Sequence, residues 1–249
     1  MALLHSPSIV TDGLVLCLDA ANRQSYPGSG TVWNDLSNRG NNGTLINGVG
    51  YSGTNGGNLV FDGANDYVSI NDNIGNFGLF NYTISIGFRT TDTRAPATLI
   101  AKSIGGNPTA NYGWLVNQST INGELGFAVA TAAGSWGVSG SYSIRTSGGA
   151  INDGRWKFVS IVADRALSDV SIYINGLPVD LQAYVGKSSL TTLGDISNNE
   201  VLTIGSESDI VVSPLRISSN TSQVTIYNRA LTPAEVLQNY NATKGRFNL

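Results

Sequence analysis

The sequence predicts an all-β domain: a two-sheet antiparallel jelly-roll β-sandwich with one short C-terminal helix. Three observations point there. Short apolar runs recur along the chain, each followed by a cluster of Gly, Asn, Asp or Ser, which is the rhythm of a sandwich or barrel. The run Tyr82–Arg89 alternates with a strict period of two: Tyr82, Ile84, Ile86 and Phe88 form an apolar face, with Thr83, Ser85, Gly87 and Arg89 between them. Such a strand covers a core on one side and meets solvent on the other. Finally, Asn175-Gly176 joins Val170–Ile174 to Leu177–Leu181. Asn-Gly supplies the two positive-φ residues of a type I′ turn, whose twist matches that of paired strands.

The remaining strands are expected in order at Leu14–Asp19, Asn58–Asp62, Tyr67–Ile70, Thr98–Lys102, Tyr112–Asn117, Glu124–Ala130, Lys157–Asp164, Val201–Gly205 and Gln223–Tyr227. So many strands do not lie in one flat sheet; they curl or split into two packed layers. The helix is signalled by Thr232 as N-cap, Pro233 at the first helical position and Glu235 completing a capping box. Leu231 and Val236 are spaced for a hydrophobic staple, and Val236, Leu237 and Tyr240 give the helix, Pro233 to about Tyr240, one apolar stripe. No linker divides the chain: residues 1–10 read as an N-terminal arm and 11–249 as a single domain.

Composition narrows the function. With 249 residues, the chain buries a substantial core without a disulfide or metal staple. The single cysteine, Cys17, sits in an apolar run and reads as a packed core thiol. Charges are sparse and nearly balanced, 14 basic against 17 acidic, which argues against nucleic acid or an anionic membrane as partner. Gly (30), Asn (26) and Ser (27) together make a third of the chain, suiting many turns and a neutral surface. Met1–Ala20 shows no leader pattern, so no signal peptide is expected, and no run approaches the roughly 20 apolar residues of a membrane span. Five Asn-x-Ser/Thr sequons, at Asn42, Asn81, Asn117, Asn220 and Asn241, read as chance occurrences in an Asn-rich chain.

Several segments, in order, resemble a known family. They are Gly13–Ala20, the loop Ser25–Ser37, Asn42–Leu45, Leu59–Val68, Asn152–Val159, Ile172–Gly176, Leu202–Gly205 and Ile226–Val236. Over about Asp12 to Phe247 the chain resembles a laminin-G-like, or concanavalin A-like lectin, jelly-roll domain. The opening stretch and the ending Asn239–Phe247 are similar to the jelly-roll modules of tailed-phage virion proteins. That resemblance implies a non-enzymatic structural or interaction protein, a head decoration or tail-associated subunit. Its partners would be other virion proteins of capsid or tail, a second copy of itself in a homo-oligomer, and glycans on a cell surface. It would reside in the virion, assembled in the host cytoplasm. The alternative is a carbohydrate-binding lectin module, of a virion or secreted by a bacterium.

Catalytic readings find little support. Related glucanases carry Glu-x-Asp-x-x-Glu on one strand; Glu207-Ser208-Asp209 begins that pattern, but Val212 stands at the second Glu. His5, the only histidine, lies in the arm, so a Ser-His-Asp set or a zinc site lacks its parts. No cofactor is required. Calcium is the ion for which oxygen donors are present, at Asp62, Asn65, Asp66 and Asp72, although Asx bonding within a turn would use the same residues. For glycan contact the candidate aromatic residues are Trp136 and Tyr142 in a Gly/Ser-rich region and Trp33 and Tyr26 in a Gly-rich loop, whereas Trp114 and Trp156 read as core.

Overall fold

The computed structural model describes residues 8–104, 112–131, 140–183, 189–207 and 215–247. Their strands are β1 (Leu14–Asp19), β2 (Val32–Trp33), β3 (Gly43–Ile46), β4 (Gly50–Ser52), β5 (Asn58–Asp62), β6 (Tyr67–Ile70), β7 (Tyr82–Arg89), β8 (Ala97–Ile104) and β9 (Tyr112–Gln118). They continue as β10 (Leu125–Ala130), β11 (Ser141–Thr146), β12 (Lys157–Asp164), β13 (Asp169–Ile174), β14 (Leu177–Pro178), β15 (Leu181–Ala183), β16 (Leu202–Ile204) and β17 (Ser218–Tyr227). Helix α1 (Pro233–Thr243) runs into a 3-10 turn, Lys244–Phe247.

Two antiparallel sheets stack as a sandwich. Sheet I runs β14-β13-β12-β7-β17-β5-β4, and β1 pairs with the far half of β17. Sheet II runs β15-β11-β10-β9-β8-β16-β6-β3-β2. The long strand β17 serves two neighbours along one edge: Ser218–Thr221 pair with β5, and Gln223–Tyr227 pair with β1, across a bulge between Thr221 and Gln223. The apolar face of β7 lies in the core as expected, with Tyr82, Ile84, Ile86 and Phe88 each no more than 2% exposed. Its other face does not meet solvent: Thr83 and Gly87 are buried, and Ser85 and Gly87 lie under α1. Facing the apolar side from sheet II are Trp114, Val116, Phe127, Val129 and Ile144.

The Asn175-Gly176 turn has both residues at positive φ, 54° and 78°, as a type I′ turn requires. Its second strand differs from the expected Leu177–Leu181. It breaks after Pro178, so that β14 stays on sheet I while β15 crosses to sheet II against β11. Proline cannot donate to a ladder on its far side, and β14 is accordingly the sheet's edge.

Helix α1 is capped as its sequence indicates. Glu235 N–H donates to Thr232 Oγ1 (3.3 Å) and Thr232 N–H to Glu235 Oε2 (2.8 Å). Arg229 grips the same carboxylate at 2.6 and 3.0 Å. The helix lies on the outer face of sheet I, where Val10, Leu14, Cys17, Val162, Tyr173, Tyr227, Leu231 and Val236 form a second apolar cluster. Leu237 sits at the stripe's edge, 41% exposed, beside Gly176 of the hairpin turn. The described part of residues 1–10 is fastened to this layer: Val10 N–H donates to Asn239 Oδ1, and Tyr227 Oη–H donates to the Val10 carbonyl. Ser8 is held as well, its carbonyl accepting from Gln238 Nε2 (2.8 Å).

One lysine is sealed inside. Lys102, paired across the ladder with Trp114, is wholly buried, and its ammonium donates to the carbonyls of Asp72 and Glu200. Burial pushes its pKa down to about 8.

Candidate functional site

Most outward positions of β9, β10 and β11 are small or short: Leu115 and Asn117, Gly126 and Ala128, then Ser143, with Arg145 opposite Gly126 as the long exception. Register places Gly126 opposite Asn117, and Ala128 between Leu115 and Ser143. Small side chains on three adjacent strands leave a trench in the sheet's outer face. It is walled by Pro96, Leu215 and Glu207 and encloses about 260 Å³. Gly126 is needed on this floor. A Cβ there would lie 2.5 Å from Asn117 Oδ1 and 2.9 Å from Ser119 Cβ, so any larger residue displaces the asparagine. The groove combines an apolar floor with an amide, the hydroxyls of Ser119 and Ser143, and the carboxylate of Glu207, which is 3% exposed. Apolar surface with a few convergent polar groups is the usual make-up of a small-molecule site. It also suits a sugar ring, which presents C–H faces and hydroxyl edges.

The aromatic candidates are distributed otherwise than the sequence suggests. Trp33 is fully buried in β2, and Tyr26 is 3% exposed, donating to the Gly30 carbonyl (2.9 Å) with its ring tilted on Tyr51. The Gly-rich loop packs both inward, and neither offers a face to a ligand. Tyr142 pairs with Val129 and is half-buried against the core, on the inner side of β11. Trp136 lies outside the described residues, in the connection between β10 and β11. Trp114 is core, its indole N–H donating to the Gly75 carbonyl (2.9 Å).

The oxygen donors named for calcium are used within the turn. Asp62 Oδ1 accepts from the Ala64 and Asn65 amides (2.7 and 3.4 Å), and Asp66 Oδ2 accepts from the Asp62 amide (3.2 Å). The Ala64 amide foremost holds the Asp62 carboxyl below its ordinary pKa, whereas burial raises that of Asp66. Asp72 follows β6, at the opposite end of that strand from Asp66, and so does not join them. Among the described residues no three His, Cys, Asp or Glu side chains converge as metal ligands.

The glutamates are likewise dispersed. Glu235 caps the helix; Glu124 pairs with Arg145 (3.5 Å) and accepts from Gln182; Glu207 lines the groove. Ser208 and Asp209, the rest of the partial glucanase pattern, lie outside the described residues. None of the groove's floor residues carries a sequence motif. The available signal was the alternation of Leu125, Phe127 and Val129 with Gly126, Ala128 and Ala130, which marks one face of β10 as bare. No described helix is long and apolar enough to cross a membrane.

Comparison with known proteins agrees with this architecture. The binding domain of Paraclostridial Mosquitocidal Protein 1 superposes with a TM-score of 0.68 at 20% identity, over 93% of this chain and 52% of that one. The binding domain of botulinum neurotoxin DC, solved in complex with SialylT, gives 0.67 at 16% identity over 94% and 52%. A Trypanosoma rangeli sialidase mutant displaying trans-sialidase activity gives 0.63 at 18% over 96% and 34%. At such identities the likeness is one of fold, and the chain spans about half or less of each of these structures. No curated protein matches in sequence. The Laminin_G_3 family model, described as the concanavalin A-like lectin/glucanases superfamily, matches residues 62–237, from the end of β5 into α1. With most of its sandwich inside that match, the chain belongs to the concanavalin A-like lectin/glucanases superfamily.

Proposed function

We propose that this chain is a non-catalytic recognition module that binds carbohydrate in the outer groove of sheet II. The observation that carries the reading is the groove itself: a floor of Leu115, Gly126 and Ala128 beside Asn117, Ser119, Ser143 and Glu207. The superfamily supports it, as do neighbours solved with sugars, among them the botulinum neurotoxin serotype D ligand-binding domain with N-acetylneuraminic acid. The dispersal of Glu124, Glu207 and Glu235 favours binding over hydrolysis, which needs two carboxylates flanking one bond. No resident metal is part of the proposal, since backbone amides already occupy Asp62 and Asp66.

A glycan-array screen tests it, followed by titration of the best hit against the wild type and Ala128→Trp. The indole would fill the trench from a half-exposed position. The expected result is at least a tenfold loss of affinity with an unchanged melting temperature. Equal binding by the variant, or no hit on the array, would remove the groove from consideration.

A second reading, an assembly subunit of a tailed-phage particle, draws on a different surface. Leu79 and Phe80 are 63% and 76% exposed, and Leu167, 76% exposed, stands in the adjoining turn that Asn81 ties to Asp164 and Arg165. Exposed apolar groups of this size suit a protein contact, either with a second copy or with another virion protein. Solution mass decides: a symmetric oligomer that Phe80→Ser dissociates supports the subunit, and a monomer at high concentration opposes self-assembly.

A further inference from the structure

The outer face of sheet I is not covered along its whole length. Beyond the C-terminal turn, where β5, β17 and β7 continue, lies a polar hollow of about 320 Å³. Arg89, Thr91, Ser218, Ser219 and Asn220 line it, and Arg89 is the one ionisable side chain among all its lining residues.

Arg89 is held in place but not neutralised. Its Nε donates to Asn220 Oδ1 (3.2 Å), and the Asn220 amide in turn donates to Asn58 Oδ1 (2.8 Å). Its guanidinium lies 5.8 Å from the centre of the Trp156 ring, which is itself packed on Phe247 at 4.4 Å. A stacked, hydrogen-bonded guanidinium has little rotamer freedom left to lose on binding. Yet among the described residues Nη1 and Nη2 have no acceptor and no carboxylate pairs with Arg89, whereas Arg94, Arg145, Arg229 and Arg246 all have acidic partners. The acids at the margin are committed elsewhere, Asp92 to Arg94 (2.6 Å) and Asp153 to Lys157 (2.8 Å). Beside Arg89, Thr91 and Ser218 bring their hydroxyls to the lining of the hollow.

A fixed arginine fork beside neutral hydroxyls is the arrangement that recognises a planar or tetrahedral oxyanion. One cation suits one negative charge. A polyanion would need a basic surface, and this chain has a net charge of −3. We propose that the hollow is a second site, which takes the single oxyanion of an acidic sugar, carboxylate or sulfate, on Arg89 Nη1 and Nη2 with the Thr91 and Ser218 hydroxyls. Only the sugar part of this assignment rests on the carbohydrate reading; the anion part rests on Arg89.

The test is titration of the isotopically labelled protein with glucuronic acid, N-acetylneuraminic acid, glucose 6-sulfate and neutral glucose, monitoring the Arg89 side chain and the Trp156 indole N–H. Acidic sugars are expected to shift both signals and glucose to leave them still; comparing carboxylates with the sulfate ester identifies the preferred anion. Arg89→Met, which keeps an unbranched side chain but removes the cation, should weaken binding at least tenfold, and Arg89→Lys should weaken it less. Should the methionine variant unfold, the lysine variant and a loss of affinity with added salt carry the test. No shift with any acidic sugar, or equal shifts with glucose, overturns the proposal. Acidic-sugar binding lost in Ala128→Trp but kept in Arg89→Met would also overturn it, while leaving the groove on sheet II standing.

Discussion

The two outer faces of the sandwich are built to opposite ends. On sheet I the outward positions include Cys17, Val162, Tyr173 and Tyr227, tall or apolar groups that need a cover, and α1 with Ser8–Val10 supplies it. Between helix and sheet there remains a cavity of only about 30 Å³, room for one water, lined in part by Ser85, Ser160 and Thr225. On sheet II the outward positions of β9 to β11 are mostly Gly, Ala, Ser and Asn, with Leu115 on the floor and Arg145 opposite Gly126, and the face stays concave. The lesson is that side-chain height on the outer faces, more than strand order, decides which stretch is covered and which stays open. The part of sheet I under α1 is a joint, whereas the face of sheet II at β9 to β11 is left as an open groove.

The sharpest way to break this contrast is to put a charge into the joint. Val236 is 2% exposed in the outer cluster. Val236→Asp buries an unpaired carboxylate and is expected to cost about 3 kcal/mol or more, lowering the melting temperature by about 6–12 °C. The matching change on the other face, Ala128→Trp, should move the melting temperature by less than about 2 °C while weakening binding in the groove at least tenfold. Calorimetry of both variants checks the pair. If the two destabilise alike, the faces are not differentiated as argued.

A smaller effect belongs to the helix cap. Arg229's bidentate grip, aided by the Thr232 amide, holds the Glu235 carboxyl at about 2, against an ordinary value of 4.5. A depressed carboxylate stabilises the fold above its unfolded pKa, and that contribution fades as pH falls from about 4.5 towards 2. Glu235→Gln should therefore cost about 1 kcal/mol at pH 7, the cap and a half-exposed ion pair together. It should also flatten the acid limb of the melting-temperature profile between pH 5 and 2.5. Superimposable acid limbs for variant and wild type would show that the cap does not tether this face.

These elements differ in how legible they were. Period-two alternation and Asn-Gly revealed β7 and the β13–β14 turn because local pattern and burial agree there. Thr232, Pro233 and Glu235 revealed α1 for the same reason: a cap is local chemistry. The short strands β2, β3 and β4 did not show, since two to four residues carry no period; β11 alternates Tyr142 and Ile144 with Ser141, Ser143 and Arg145, but its Gly/Ser-rich setting reads as a loop. Two of the aromatic candidates, Trp33 and Tyr26, are buried for a physical reason. A Gly-rich flank suggests exposure, but Trp33 and Tyr26 are drawn into the core because a sandwich this large has volume to fill. The groove was the least visible feature, being made of what is missing from β10's outer side rather than of what is present. Lys102 was hidden likewise: its burial depends on the carbonyls of Asp72 and Glu200, brought together only by the fold.

The finest probe of the comparison is Cys17, which sits under the cover of sheet I and is 4% exposed. Burial first, then the Asp19 and Asp35 carboxylates, push its thiol up to about 12. The reactive thiolate is therefore scarce at pH 8, and reagent also has no path to it while α1 is docked. A thiol raised above its unfolded value stabilises the fold below about pH 9, and that contribution is lost as pH climbs towards 12. Alkylation with iodoacetamide at pH 8 should be at least a hundredfold slower in the native protein than in urea. The rate then measures opening of the outer layer. In Val236→Asp it should rise well before global unfolding begins, and in Ala128→Trp it should not change. Fast labelling of the wild type would mean that the joint opens freely, and the division of labour between the two faces would then be one of composition alone.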